Sequence, residues 1–231
     1  LSANVAWMEI LAGNIEDEYW NNQFSDRILK AKFDLEAKEA RDNDKLFYFI
    51  IVHAFKTRHK LLGLNYLSAA SDLNTCIDQI SKSFGRETEY EPFYLTSGLY
   101  YYFMSRAYDD YFILRPYLSM FPDGDKSKGL AYLNRLTKNE NVFLRNESNY
   151  FLMRIYLDIE EEYELAWAYA AALTKENPNN LIFSLYHIKI LHKLDSEALS
   201  QEVMKYKYRV KVNNQLTSVQ KEHFLNELNK E

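Results

Sequence analysis

The stretch that comes nearest to a metal site is Asp123-Gly124-Asp125-Lys126-Ser127-Lys128-Gly129. A helix–loop–helix calcium site needs glycine at its sixth position and a bidentate glutamate at its twelfth. Here a glycine stands at the seventh and Asn134 at the twelfth. The loop is therefore read as a turn in which Asp125 or Ser127 caps the following helix. The five histidines are His53, His59, His187, His192 and His223. None belongs to a His-Glu-x-x-His zinc pattern. His187 and His192 are five apart and share no helix face, and His53 lies in an apolar run and reads as a core histidine. The single cysteine, Cys76, rules out an internal disulfide and a cysteine-based zinc site. Its apolar neighbours make it buried filler and not a nucleophile. Glu160-Glu161-Glu162, with Glu164, is an acidic run. Acids at the start of a helix complement its dipole, which accounts for the run without catalysis. We expect no catalytic residue, no metal and no cofactor.

The residues that could bind are aromatic. Tyr100, Tyr101, Tyr102, Tyr108, Tyr111 and Tyr117 are concentrated in one region. Successive residues of a helix differ by about 100°, so Tyr100 to Tyr102 cannot all face one way. At least one is expected to face a groove, where it could stack on a sugar or grip a peptide; interhelical packing is the structural alternative. Lys205-Tyr206-Lys207-Tyr208-Arg209-Val210-Lys211-Val212 alternates basic and apolar residues. It fits a strand, or a helix with Val203, Tyr206 and Val210 inward. The net charge of −5, with acids and bases mixed throughout, argues against a nucleic-acid footprint.

Helices must position these side chains. Six glycines and four prolines in 231 residues are too few for the turns of a sheet-rich fold. Nineteen tyrosines and fourteen phenylalanines supply large fillers between helices. Residues 3–41 read as two helices. Ala6, Trp7, Ile10 and Leu11 stripe the first; Phe24, Ile28, Ala31, Leu35 and Ala40 stripe the second, with Ser25 as its cap. Arg41 to Asp44 reads as a turn. A helix from Leu46 to His59 is apolar nearly all round. Its partner, Tyr66 to Phe84, carries Leu67, Ala70, Leu73, Cys76, Ile77 and Ile80 on one face and ends at Gly85. A polar link closes at Pro92, and an aromatic helix follows. Further on, helices are expected from Leu181 to Leu194, over 195–208, and from Ser218 to Leu228. No apolar run reaches the roughly 20 residues of a membrane span.

Residues 146–180, from Asn146 to Asn180, form the clearest unit: two helices, a short acidic turn and a closing proline. Leu152, Tyr156, Ala166 and Pro178 fall at signature positions of the tetratricopeptide repeat, a unit of about 34 residues. Met153, Ala170 and Leu173 depart from it, and the Tyr156 to Ala166 spacing is one residue long. Earlier, Tyr94, Gly98 and Tyr101 match the first-helix positions, and Gly129, Leu133 and Leu136 those of the second. Residues 112–124 interrupt the pair as an insertion. The chain thus resembles a divergent tetratricopeptide-repeat protein. Gly98-Leu99-Tyr100, Pro116, Phe121-Pro122, Gly124-Asp125 and Gly129 are similar to the layout of a group of exported bacterial members of that type.

The resemblance implies an all-α solenoid of antiparallel helix hairpins in a right-handed superhelix, a single domain over 1–231. Within it, 1–44 are N-terminal helices, 45–180 the best-matching repeats, and 181–231 a last repeat and a capping helix. It implies a non-enzymatic scaffold that binds a protein or peptide; the alternative is a glycan- or small-ligand-binding cell-envelope protein using groove tyrosines. The expected site is the insertion and the helix before it: Tyr101, Tyr108, Tyr111, Arg115, Tyr117 and Phe121. The competing expectation is that the insertion plugs a gap between repeats. The resemblance and the leading Leu1 point to a bacterial cell envelope or periplasm, with the cytoplasm as the alternative. The leading residue fits a processed mature chain or a shortened one.

Overall fold

The computed structural model describes residues 2–37 and 42–229. Every regular element among them is helical. The helices are α1 (Ser2–Leu11), α2 (Glu18–Ala37), α3 (Asp42–Leu62), α4 (Tyr66–Ser81) and α5 (Pro92–Asp110). A 3-10 turn (Phe112–Leu114) and the short α6 (Arg115–Leu118) follow, then α7 (Lys126–Leu136), α8 (Val142–Asp158) and α9 (Tyr163–Glu176). The series ends with α10 (Leu181–Lys193), α11 (Leu199–Val212) and α12 (Ser218–Leu228). The segment that alternates basic and apolar residues is helical, with Tyr206 and Val210 buried and Val203 half-buried. No described helix is long and apolar enough to cross a membrane.

Short polar side chains set where these helices begin. Asn65 accepts from the Ser68 amide, Asp125 from Lys128, Asn141 from Phe143 and Leu144, and Asn180 from Ile182 and Phe183. Thr217 and Gln220 form a reciprocal capping box on α12. The expected cap by Asp125 is thus present. Ser25 caps nothing: α2 begins seven residues earlier, and the hydroxyl donates to Asn21 O within the helix at 2.9 Å. Asp42 and Asp44 lie in the first turn of α3 and not in a turn before it, where their charge complements the helix dipole. The expected contributions of the Leu35 side chain, Ala40 and Arg41 lie outside the described residues.

The chain divides into two compact units. One comprises the chain up to Trp7 together with Glu18–Asn139. In it α3 packs on α4, and α5 packs on α7. Trp7, Phe24 and Phe55 meet ring to ring. Ile50, Cys76, Ile80, Tyr100, Tyr101 and Met104 form a second cluster. The α5–α7 contact is close because both helices carry glycine where they meet. A Cβ on Gly129 would lie 2.5 Å from Tyr102 N and 2.7 Å from Gly98 O. The other unit comprises Met8–Asp17 and Glu140–Glu231. There α9 packs on both α8 and α10, and Ala166 and Ala170 are fully buried, letting Met153, Leu157 and Ile190 close over them. Its other cluster gathers Leu181, Leu185, Ile188, Tyr206, Val210 and Phe224.

Two expected faces differ in part. On α4 the buried set is Ala69, Asp72, Cys76 and Ile80, while Ala70 and Leu73 are exposed and Leu67 is 90% exposed. Cys76 and Ile80 of the expected stripe are buried and Ile77 is half-buried, so only its first half faces outward, where Asp72 takes the inward place. On α5, Tyr100, Tyr101 and Tyr102 are all buried, because the helix packs against α3, α4 and α7, and its open side at that level carries Phe103.

Candidate functional site

The insertion leaves α5 at Asp110 and rejoins the fold at Asp125, whose amide donates to Tyr101 O at 3.0 Å. Its return is fixed by the core. Tyr100 donates its hydroxyl to Pro122 O at 2.6 Å, and burial and then the neighbouring Tyr101 and Asp123 push that phenol up to about 12. Phe121 packs against the cluster around Ile50 and Met104. Its ring meets that of Tyr117 edge-on at 5.3 Å, and the Tyr117 hydroxyl donates to Asn74 Oδ1 on α4.

The outgoing half is different. Phe112, Ile113 and Leu114 have no buried member; Phe112 is 74% and Ile113 88% exposed, and Met120 beyond them is 77% exposed. Tyr108 and Tyr111 are also exposed. Arg115 organises this half. Its Nε donates to Tyr108 O at 2.8 Å, and its guanidinium lies 4.9 Å from the Tyr108 ring and 5.3 Å from that of Phe112. A cation stacked between two rings stiffens an apolar surface that would otherwise collapse.

Five of the six expected residues therefore lie on the insertion or its approach: Tyr108, Tyr111 and Tyr117 exposed, Arg115 and Phe121 half-buried. Tyr101 does not join them. It is buried, stacked on Phe84 at 4.9 Å with Lys128 Nζ 3.9 Å from its ring centre. Phe112, Ile113 and Met120 are the strongest additions. Phe112, Ile113 and Leu114, three apolar residues directly before Arg115-Pro116, were the available signal.

The insertion thus divides into an anchoring and an exposed half, and mutation separates them. Phe121→Ala should cost about 1.5 kcal/mol for a half-buried ring, lowering Tm by roughly 3–6 °C. Ile113→Ser should stay within about 0.5 kcal/mol of wild type. Differential scanning calorimetry reads both.

In the second unit, two adjoining cavities share His187 and Glu202. One, of about 400 Å³, is walled by Tyr208, Arg209 and Ser184; the other, of about 380 Å³, by Trp167 and Leu191. Arg209 donates from Nη1 to Pro178 O at 2.5 Å, while its buried Nε has no partner. Burial lowers the pKa of His187, more than Glu202 raises it.

Burial also lowers His53 and His59, and for His53 the charge on Lys56 adds to the effect. A base whose folded pKa is depressed stays neutral in the fold while the unfolded chain takes up protons. Its contribution is whole above the ordinary value of 6.5 and is lost as pH falls through the folded value. The urea midpoint should therefore fall between pH 7.5 and pH 5, and the fall should be smaller in His187→Gln. An unchanged midpoint would contradict the burial of these rings.

Among the described residues, no three or more histidine, cysteine or carboxylate side chains converge as metal ligands. Compared with protein-family models, with curated proteins and with solved structures, the chain gives no match.

Proposed function

We propose that this chain is a non-enzymatic, tetratricopeptide-like scaffold that holds a protein or peptide partner on the insertion between α5 and α7. In this reading the helix pairs are antiparallel hairpins stacked into a right-handed superhelix. The glycine contact of Gly98 with Gly129 and the buried Ala166 and Ala170 support it, because small residues at such places let paired helices approach. The observation that carries the function is the exposed apolar half of the insertion. Chains rarely leave Phe112, Ile113 and Met120 together in water without a use, and aromatic residues beside arginine are the usual anchors of interfaces. A rigid base, set by Tyr100, Tyr117 and Phe121, reduces the ordering cost on binding.

A displayed peptide library selected on the wild-type chain and on Phe112→Ser/Ile113→Ser/Met120→Ser tests this. The account expects peptides that bind the wild type and lose at least tenfold in affinity on the variant at unchanged Tm. A library yielding no peptide that separates the two proteins contradicts it.

One observation favours a second reading, a glycan or small-ligand site. Trp167 and Tyr208 are exposed aromatic walls of adjoining cavities that also present Glu202, His187 and Arg209. Stacking faces beside hydrogen-bonding groups suit a sugar. A glycan array showing binding that Trp167→Ala and Tyr208→Ala abolish would favour this reading over the first.

A further inference from the structure

A third cavity, in the first unit, lies between α2 and α3 and has a volume of about 250 Å³. Its buried walls are the apolar Phe24, Ile28 and Val52; Leu29 is exposed at its edge, and Ser25 and His59 also line it. Three lysines line the same space, Lys32 from α2 and Lys56 and Lys60 from α3. No carboxylate does.

Three lysines lining one small cavity with apolar walls is a costly arrangement. Like charges repel, and apolar walls weaken the screening that water would supply. The chain as a whole is acidic, so the cluster is not a sample of its average composition. Part of the charge is answered from behind. Asp72 of α4, buried, takes Lys56 Nζ at 3.1 Å and Lys60 Nζ at 2.5 Å. Lys32 has no ion-pair partner among the described residues. The two histidines nearby add no charge. His53 and His59 both sit with lowered pKa, and His59 Nε2 is paired to Asn21 Oδ1 at 2.7 Å. Among the described residues, counting the three lysines against Asp72 leaves an excess of two positive charges beside an apolar hollow.

We propose that this cavity binds a small amphiphilic anion, a carboxylate carried on a short apolar chain or ring. The chain lies against Phe24, Ile28 and Val52, and the carboxylate meets Lys32 with Lys56 and Lys60 at the rim. Recognition needs both parts. An anion without a chain loses the apolar contact, and a chain without an anion leaves the lysine charge unanswered. This site is independent of the insertion and of the scaffold reading.

Isothermal titration with sodium octanoate tests it, with 1-octanol, acetate and octyl sulfate as companion ligands. Octanoate is expected to bind once per chain, at least tenfold more tightly than octanol or acetate. Octyl sulfate measures whether the head must be a carboxylate; binding equal to that of octanoate overturns the carboxylate assignment. Lys32→Glu is the main variant, because Lys56 and Lys60 also hold Asp72 and their loss would disturb the fold. It should weaken octanoate at least tenfold without changing Tm or the affinity for octanol. Leu29→Asp, at the exposed edge, should do the same. Octanoate and octanol binding alike, no octanoate heat at all, or an unchanged affinity in Lys32→Glu each overturns the proposal.

Discussion

Gly129→Ala is expected to lower the melting temperature by roughly 6–12 °C. The added carbon meets backbone on two sides, Tyr102 N at 2.5 Å and Gly98 O at 2.7 Å. Neither atom can rotate away, since both belong to α5. Relief requires α5 and α7 to separate, which opens the packing around Leu133 and Leu136, both fully buried. Overpacking of this kind costs about 3 kcal/mol. Two other glycines serve as controls. Gly98→Ala meets mainly the Leu133 side chain, at 3.1 Å, and should cost about 1 kcal/mol. Gly85→Ala meets nothing within 4 Å, and its cost of about 1 kcal/mol comes from a φ of +80°. Thermal circular dichroism should show a drop for Gly129→Ala well above that of either control. A drop of under 2 °C for Gly129→Ala would mean that α5 and α7 are not in backbone contact.

Asp72→Ala is expected to cost about 2–3 kcal/mol, or roughly 4–12 °C in Tm. The carboxylate is buried and holds Lys56, Lys60 and the His53 ring, whose Nδ1 lies 3.2 Å away. Removing one member of a buried ion pair usually costs more. Here about a third of each lysine side chain is exposed, so water screens part of the released repulsion. The pH dependence follows from the same contacts. Burial alone would raise this carboxyl, but the hydrogen bonds and charge of Lys60 and Lys56 outweigh it and hold the pKa below its ordinary value. A carboxylate with a depressed folded pKa contributes fully above the unfolded value near 4 and loses that contribution as pH falls through the folded value. The gap in stability between wild type and Asp72→Asn should therefore be wide at pH 7 and close below pH 3. A gap that persists in acid would assign the effect to shape and not to charge.

The helical class and many of the helix ends were legible, because they rest on local chemistry. Asp125 caps α7, Pro92 opens α5, Pro178 follows α9, and α12 begins and ends at Ser218 and Leu228 as its pattern requires. The α5–α7 pairing across the insertion was legible too, through Gly98 and Gly129. What hydropathy could not show was the orientation of helices whose buried face carries charge. On α4 the stripe of Leu67, Ala70 and Leu73 is periodic, yet Asp72 lies inside because Lys56 and Lys60 come to meet it. Ion pairing between helices is a tertiary fact, and hydropathy showed only the half of the face that holds Cys76, Ile77 and Ile80. Tyr100 to Tyr102 failed for a related reason: packing partners cover all three, and the outward place on α5 falls to Phe103. In the candidate site, the interruption between α5 and α7 was visible. The division between an anchored Phe121 and an exposed Ile113 was not, since both are large apolar residues in one loop.

The most direct test of the central claim is amide hydrogen exchange with and without a library-selected peptide. If the insertion is the binding surface, protection should appear over 108–121 and on the adjoining turn of α4 around Asn74, to which Tyr117 is bonded. Exchange in α9 to α11 should be unchanged. Protection confined to α9–α11, around Trp167 and Tyr208, with 108–121 exchanging as in the free chain, would contradict the account and move the site to the second unit.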